Sequence, residues 1–170
     1  MINSIRKTNK GSKIFQLTDE ETNQIKSTDN CYRFNGDTSS IMKFRMEAYS
    51  KTPLNKDRFS IFLDTDMLVL KEINLSKMFQ KSDLILCKRE FNSNQLVNIH
   101  FNDMNMEEYE GKTMGESWPY LGCFIGVTNN KNLIEMNEMY NNLEQKYKFW
   151  YGDQIVLKDF ALKNKTKTAF

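Results

Sequence analysis

The stretch RFSIFLDTD (residues 58–66) is the part of the sequence that decides the predicted fold. Its apolar run, residues 59–63, is nearly continuous, which is typical of a central parallel strand covered on both faces. The run ends at Asp64-Thr65-Asp66. Side chains two positions apart on a strand point to the same side of the sheet. Because ligands of open α/β sheets bind beyond the carboxyl ends of the strands, we expect Asp64 and Asp66 to face one site.

Strands and helices alternate along the rest of the chain. We predict helices at 1–9, 40–50, 74–80, 132–148 and 152–162, and further strands at 13–17, 31–34, 83–87, 121–127 and 167–170. This alternation predicts an α/β fold with a mostly parallel sheet. Residues 92–115 are polar and weakly periodic, so we interpret them as a long excursion able to cover a site. No internal repeat or linker divides the chain, and we expect residues 1–170 to form a single domain.

Composition excludes several classes of protein. The 170 residues carry 24 Lys and Arg against 22 Asp and Glu, a net charge of +2 that argues against a polycationic nucleic-acid binder. No run approaches the roughly 18 apolar residues of a membrane span, and the amino terminus lacks the apolar core of a signal peptide. Of three cysteines, Cys87 and Cys123 lie in apolar runs, so we expect buried thiols rather than a disulfide framework. These features predict a soluble, cytoplasmic protein.

The two carboxylates of the D-x-D segment predict a cation site. At a separation of about 5 Å and an effective dielectric constant of about 20, two such charges repel by roughly 3 kcal/mol. Protonation, water or a bound cation must relieve that repulsion, and Mg²⁺ or Mn²⁺ is the ion that carboxylate oxygens favour. The alternative is a solvated turn, because Asp is common where strands end.

Four stretches resemble, in order, segments of the GT-A-fold glycosyltransferases, the nucleotide-diphospho-sugar transferases, and in particular glycosyltransferase family 8. FSIFLDTDMLVL (59–70) resembles the D-x-D segment. FRMEAY (44–49) resembles the preceding helix, WPYLGCFIGV (118–127) the strand that borders the sugar pocket, and WYGDQ (150–154) the opening of a late helix. The resemblance implies a three-layer GT-A-like α/β domain with a mostly parallel central sheet.

By this resemblance the D-x-D segment holds a metal against the donor. Asp64 would face the ribose or the metal, and Asp66 would be the principal metal ligand, with Mn²⁺ or Mg²⁺ bridging the two phosphates of the donor. Arg45 would add a positive charge near the donor, although a charge on the helix surface is the plain alternative. The implied activity is transfer of a sugar from a nucleoside-diphosphate sugar to an acceptor.

The remaining site residues follow from the same resemblance. Gly122 would border the donor's sugar pocket, Asp153 would contact the sugar or acceptor, and Gln154 would help to position it. Asp153 is equally explained as a first-turn residue of its helix, where the helix dipole favours a negative charge. Lys88 and Arg89 follow a predicted strand and lie either near the phosphates or on the surface.

The chain also departs from the family pattern. The apolar first strand that contacts the nucleotide base is missing, and so is a carboxyl-terminal histidine that ligates the metal in many relatives. His100, the only histidine, lies in the polar excursion, and we expect it on the surface. Gly122-Cys123 replaces an asparagine-containing start of the pocket strand. We therefore expect a domain truncated at both ends, and a catalytically inactive GT-A-like relic acting as a binding module is the alternative function.

A phosphatase of the haloacid dehalogenase type is a competing interpretation, since such enzymes use the first Asp of a strand-end D-x-D as a nucleophile. Their pattern needs Thr or Val where this chain has Leu68. It also needs a later Gly-Asp-x-x-x-Asp, whereas Gly152-Asp153 is followed by Asp159, two residues too far. We therefore favour the transferase.

The expected partners follow from the transferase interpretation. The donor would be a UDP- or GDP-sugar, and the acceptor a glycan, a lipid or a protein. Relatives often work at the cytoplasmic face of a membrane, which implies peripheral association with it. We expect no nucleic-acid partner, because the basic residues within 163–167 are typical of a solvated chain end.

Overall fold

The computed structural model describes residues 1–55, 58–80, 82–99 and 106–164, which form a mixed α/β structure. Its helices are α1 (Ile2–Thr8), α2 (Ile41–Lys51), α3 (Leu75–Met78), α4 (Met114–Ser117), α5 (Lys131–Asn141) and α6 (Gly152–Asn164). Its strands are β1 (Phe15–Thr18), β2 (Asn30–Arg33), β3 (Ser60–Leu63), β4 (Leu84–Lys88) and β5 (Tyr120–Val127). Short 3₁₀ helices cover Glu107–Tyr109 and Gln145–Tyr147. The predicted mixture of helices and strands is confirmed, with most boundaries shifted by one or two residues.

The strands form two small sheets rather than one mostly parallel sheet. β1 and β2 pair in parallel, while β5 lies between β3 and β4 and is antiparallel to both. The prediction of a mostly parallel central sheet is therefore wrong for the described strands. The reason lies in the connection before β5. Arg89 directly follows β4 and Pro119 directly precedes β5, and the N–H of Arg89 donates to the carbonyl of Pro119 at 2.7 Å. The ends of the excursion thus meet, and the chain returns antiparallel to β4.

The position of β3 also differs from the prediction. Within the described sheet β3 is an edge strand, and of its four residues only Phe62 is buried. The expectation of a strand covered on both faces is therefore wrong. The buried side chain of β3 lies on the face that packs against the helices. Phe62 packs against Tyr49 of α2, with ring centroids 4.3 Å apart.

The main core lies between the three-stranded sheet and helices α2, α5 and α6. Its members come from all of these elements, and the most fully buried are Met46, Leu84, Leu86, Ile125, Val127, Leu133, Met136, Tyr140, Val156, Leu157 and Phe160. The burial of Leu133, Met136 and Tyr140 on α5 confirms the helical spacing that predicted this face. Helices α2 and α6 are thereby fixed against the sheet, and each carries a predicted site residue.

Helix α5 is shorter than the predicted helix at 132–148. It ends at Asn141, and the chain continues into the 3₁₀ helix Gln145–Tyr147. The ammonium group of Lys148 donates to the carbonyl of Asn141 at 2.6 Å. Because the last carbonyls of a helix lack partners within it, this hydrogen bond stabilises the early end.

The excursion after β4 builds a second, smaller core around Trp118. Val97, Met106 and Met114 are buried against it, and the Trp118 ring stacks on Tyr151 at 4.2 Å between centroids. Residues 100–105 lie outside the described residues, and so do the predicted surface position of His100, the basic residues 165 and 167 and the predicted strand at 167–170. Across the described part of the chain, no helix has the length and apolar character needed to cross a membrane.

Helix α1 anchors the segment that follows the D-x-D. The hydroxyl of Ser4 accepts from the N–H of Val69 at 3.0 Å, and the side chain of Asn9 accepts from the N–H of Ile73 at 2.8 Å. The chain beyond Asp66 is therefore held against the amino-terminal helix, which fixes the exit of the turn after β3.

Candidate functional site

Four predicted site residues from separate parts of the chain meet in one cluster. Arg45 projects from α2, Asp64 directly follows β3, Gly122 lies in β5 and Asp153 lies in the first turn of α6. Arg45 Nη1 donates to Asp153 Oδ2 at 2.8 Å, and Arg45 Nη2 forms an ion pair with Asp64 Oδ1. We call these four residues the Arg45 cluster.

Burial decreases across the Arg45 cluster from Asp153 to Asp64. The side chain of Asp153 is 2% exposed, that of Arg45 is 18% exposed and that of Asp64 is 30% exposed. Removing a buried carboxylate from water is costly unless it is paired and hydrogen-bonded. The guanidinium therefore serves two purposes, since it compensates the buried Asp153 and orients the more open Asp64.

Gly122 is required by the close approach of β5 to this ion pair. A Cβ atom at position 122 would lie 2.2 Å from Asp153 Oδ2 and 3.0 Å from Arg45 Nη1. The first distance is far below any van der Waals contact, so a side chain there would displace the carboxylate. A glycine inside a predicted strand is a recognised signal for such an approach.

The electrostatics of the cluster keep the positive charge on Arg45. Burial would lower the pKa of Arg45, but Tyr49 when ionised, Asp153 and Asp64 together raise it above its usual value. Burial also raises the pKa of Tyr49 to about 12, so its phenol is neutral at physiological pH. Burial raises the pKa of Asp153 above its usual value, against the opposing effect of Arg45.

Asp66 lies outside this cluster. Strand β3 ends at Leu63, and the chain turns at Thr65-Asp66, with the N–H of Met67 donating to the carbonyl of Asp64 at 3.3 Å. The rule that residues two apart face the same side holds only within a strand, so it does not apply to Asp64 and Asp66. Asp66 is exposed, and it has no ion-pair partner within the part of the chain that the structure describes.

Gln154 points to a second cluster, which sequence reasoning did not identify. Its Oε1 accepts from Arg89 Nη2 at 2.5 Å, while Arg89 Nε donates to the carbonyl of Trp118 and Nη1 to Asn92 Oδ1, both at 2.8 Å. Arg89 is only 6% exposed, and burial lowers its pKa. Arg89 is thus neither a surface charge nor free for phosphates; it joins α6 to the excursion.

A pair of cysteines lies beside the Arg45 cluster. The carbonyl of Cys123 accepts from the N–H of Asp64 at 3.1 Å, and the thiol of Cys87 donates to the carbonyl of Lys88 at 3.7 Å. The neighbouring Cys123 thiol lowers the pKa of Cys87, and the same interaction raises the pKa of Cys123. Cys31, Cys87 and Cys123 are all free and half-buried.

The side chains available as metal ligands limit which ions the site could hold. Among the described residues, no group of three or more His, Cys, Asp or Glu side chains could enclose a metal ion. Asp64 and Asp66 supply carboxylate oxygens, and Asp153 Oδ1 is buried without a hydrogen-bond partner among the described residues. A metal bound here would therefore take part of its coordination from a ligand such as a diphosphate.

Comparison with known proteins adds no relative to this description. The chain matches no protein-family model, no curated protein and no solved structure.

Proposed function

We propose that this chain is a GT-A-like glycosyltransferase domain, which transfers a sugar from a UDP- or GDP-sugar to a glycan, lipid or protein acceptor. The observation that carries the proposal is the Arg45 cluster. Residues expected from three separate motifs form direct ion pairs, although Arg45 and Asp153 are 108 positions apart in the sequence and Arg45 and Asp64 are 19 apart. Unrelated surface charges have no reason to converge in this way.

The three-layer GT-A arrangement is part of this proposal. The order of elements supports it, since an arginine-bearing helix, the D-x-D strand, the glycine-containing strand and the Asp-Gln helix pack around one core. The mixed α/β character of the chain agrees with that arrangement, although the described strands form two small sheets.

In this proposal Asp64 and Asp66 hold a divalent metal jointly with the donor. Mg²⁺ sites commonly use one or two protein carboxylates together with substrate phosphates, and Asp64 and Asp66 provide that number. When bound, Mn²⁺ or Mg²⁺ would act as a Lewis acid that stabilises the departing nucleoside diphosphate. Asp66, exposed at the turn, is reachable from solvent, and Asp64 is held in place by Arg45.

The protein's own charges would orient the donor. Arg45 places a permanent positive charge beside Asp64, in a partly buried setting where screening by solvent is reduced. The burial of Asp153 favours a role through Arg45 rather than direct contact with the sugar. Gln154 holds Arg89 and, through it, the start of the excursion, which favours a positioning role for this residue.

The alternative, a non-catalytic binding module, is favoured by one feature of the same cluster. Arg45 already forms an ion pair with Asp64, so Asp64 has a positive partner without a metal. A module of this kind would bind a nucleotide without a metal and would not release nucleoside diphosphate from a sugar donor.

The experiment that separates these functions measures release of nucleoside diphosphate from UDP- and GDP-sugars, with Mn²⁺ and with a chelator. We expect Mn²⁺-dependent release that is lost in Asp66→Asn. The matched control is Glu138→Gln, which removes one exposed carboxylate from α5, away from the cluster, and should retain the activity. Nucleotide binding without any release would support the binding module instead.

A further inference from the structure

We propose that a cavity beside α6, separate from the Arg45 cluster, binds a single neutral sugar ring. This α6 cavity has a volume of about 250 Å³ and lies between α4, α6 and the two 3₁₀ helices. Pockets for drug-sized ligands begin at roughly 300 Å³, so the ligand of this cavity is small. The proposal goes beyond the transferase function and does not depend on it.

Helical spacing separates the α6 cavity from the Arg45 cluster. Asp153, in the first turn of α6, forms its ion pair with Arg45. Ile155, Lys158 and Asp159 of the same helix line the cavity. With 3.6 residues per turn, these three positions lie about 140° to 240° around the helix from Asp153. A ligand in the cavity therefore contacts a different face of α6 from the one that faces the Arg45 cluster.

Part of the cavity wall is aromatic and apolar. Tyr109 and Tyr147 come from the two 3₁₀ helices, and Leu143 and Ile155 complete this part of the wall. Tyr109 packs against the buried Trp118, with ring centroids 5.0 Å apart. Ligand pockets are lined mainly by such side chains, together with a few polar groups that fix the orientation of the ligand. A sugar ring suits this wall because it presents C–H groups on its faces and hydroxyl groups around its edge.

Two charged side chains of α6 supply polar groups to the cavity. Adjacent residues of a helix do not face each other, so Lys158 and Asp159 do not form a pair. Asp159 is exposed and has no ion-pair partner among the residues that the structure describes. The ammonium group of Lys158 donates to the carbonyls of Glu116 at 2.8 Å and Ser117 at 3.3 Å. Because an ammonium group has three N–H donors, one of them is left for a ligand.

These opposite charges favour a neutral ligand over an ion. An anion in the cavity would be repelled by Asp159, and a cation would be repelled by Lys158. A ligand hydroxyl can donate to the carboxylate or accept from the ammonium group without either penalty. Ser117 adds a buried hydroxyl that has no hydrogen-bond partner in the described part of the chain. Since an unpaired buried polar group costs free energy, a ligand hydroxyl that reaches Ser117 gains affinity.

The test is titration of the full chain with glucose, galactose, mannose and N-acetylglucosamine, followed by saturation-transfer NMR. A ligand of one ring makes few contacts, so we expect at least one of these sugars to bind with a Kd on the order of 1 mM. The binding should persist with a chelator present and in Asp66→Asn, because the D-x-D segment does not line the cavity. It should also persist when UDP and Mn²⁺ are added.

Substitutions in the wall of the cavity locate the binding. Asp159→Asn keeps the shape of an exposed side chain but removes its charge, and it should weaken binding about tenfold. Tyr147→Leu removes an aromatic ring from the wall and should also weaken binding. Glu138→Gln is the matched control, because it removes an exposed carboxylate of α5 that does not line the cavity, and it should bind as the parent does. Circular dichroism checks that each variant is folded.

Four results would overturn the proposal. The first is the absence of binding by all four sugars to the folded chain at about ten times the expected Kd. The second is equal affinity in Asp159→Asn and the parent. The third is tighter binding of glycine or inorganic phosphate than of the sugars, with the same dependence on Asp159, because the cavity would then select an ion. The fourth is displacement of the sugar by UDP with Mn²⁺, which would place it at the donor site. A failure here leaves the nucleotide-binding experiments unaffected, so the two proposals are tested separately.

Discussion

Replacing Gly122 with alanine tests the close packing on which the Arg45 cluster depends. The new Cβ would lie 2.2 Å from Asp153 Oδ2 and 3.0 Å from Arg45 Nη1, so either β5 must move away from α6 or the ion pair must open. Overpacking a well-packed site costs about 1–3 kcal/mol, and losing one partner of a buried ion pair costs about 3–5 kcal/mol.

The expected net cost of Gly122→Ala lies between these limits. Alanine restricts the unfolded chain, which returns about 0.4–1 kcal/mol of stability. We therefore expect the free energy of unfolding to fall by about 3 kcal/mol. For a chain of this size, 1 kcal/mol corresponds to a shift in Tm of about 2–4 °C, so Tm should fall by about 6–12 °C. Urea unfolding and calorimetry measure the two quantities.

Gly11→Ala is the matched control. Gly11 has a positive φ of 84°, but nothing lies within 4 Å of the position that a Cβ would take, so alanine there suffers only backbone strain, about 1 kcal/mol. A second comparison makes the same substitution in an Asp153→Ala background, where Arg45 keeps Asp64 as its partner. Without the carboxylate, Gly122→Ala should cost less than about 1 kcal/mol. Equal costs at Gly122 and Gly11, or additive effects of the two changes, would refute the reasoning.

Two further predictions concern hydrogen-bonded side chains outside the Arg45 cluster. The backbone N–H of Ile14 and the guanidinium of Arg6 lower the pKa of Asp29 in the folded state. Asp29 therefore contributes to the free energy of unfolding above its unfolded pKa, and this contribution is lost as the pH falls through the lowered folded pKa. Asp29→Asn should thus destabilise the protein at neutral pH, and this loss, measured by urea unfolding, should shrink as the pH falls below the unfolded pKa of Asp29. A loss that does not change with pH would contradict this. Gln154→Ala leaves a donor of the buried Arg89 without its partner and should cost about 1–3 kcal/mol in the same assay, whereas a neutral result would mean that water replaces the amide.

Much of the secondary structure could be predicted from local sequence, while strand direction could not. Strand β5 is marked by a long apolar run and lies close to its predicted position, and helix α5 is marked by strong periodicity and begins where predicted, although it ends early at Asn141. Whether two neighbouring strands are parallel or antiparallel depends on the path of the connection between them. Residues 89–119 contain no helix long enough to cross the sheet within their described part, and the polar sequence there does not reveal that its ends meet.

The residues that form the ion pairs of the candidate site could be predicted from the sequence, whereas the turn that separates Asp66 from them could not. The order of motifs led us to expect Arg45, Asp64 and Asp153 at one site, and the structure brings them together. Asp66 was expected beside Asp64 because the strand was assumed to continue, whereas β3 ends at Leu63. Local sequence placed Arg89 either near the phosphates or on the surface and did not reveal its burial, since Trp118 and Gln154, which accept from its guanidinium, are distant in the sequence.

The proposed function depends most directly on whether the folded chain binds a nucleoside diphosphate through a metal at the D-x-D. The measurement is calorimetric titration of the full chain with UDP and GDP, in the presence and absence of Mn²⁺. We predict binding that requires Mn²⁺, is lost in Asp64→Asn and Asp66→Asn, and is retained in Glu138→Gln. Binding of equal strength in Asp66→Asn, or no binding of either nucleotide to the folded chain with Mn²⁺ present, would contradict the assignment of a metal-dependent nucleotide site.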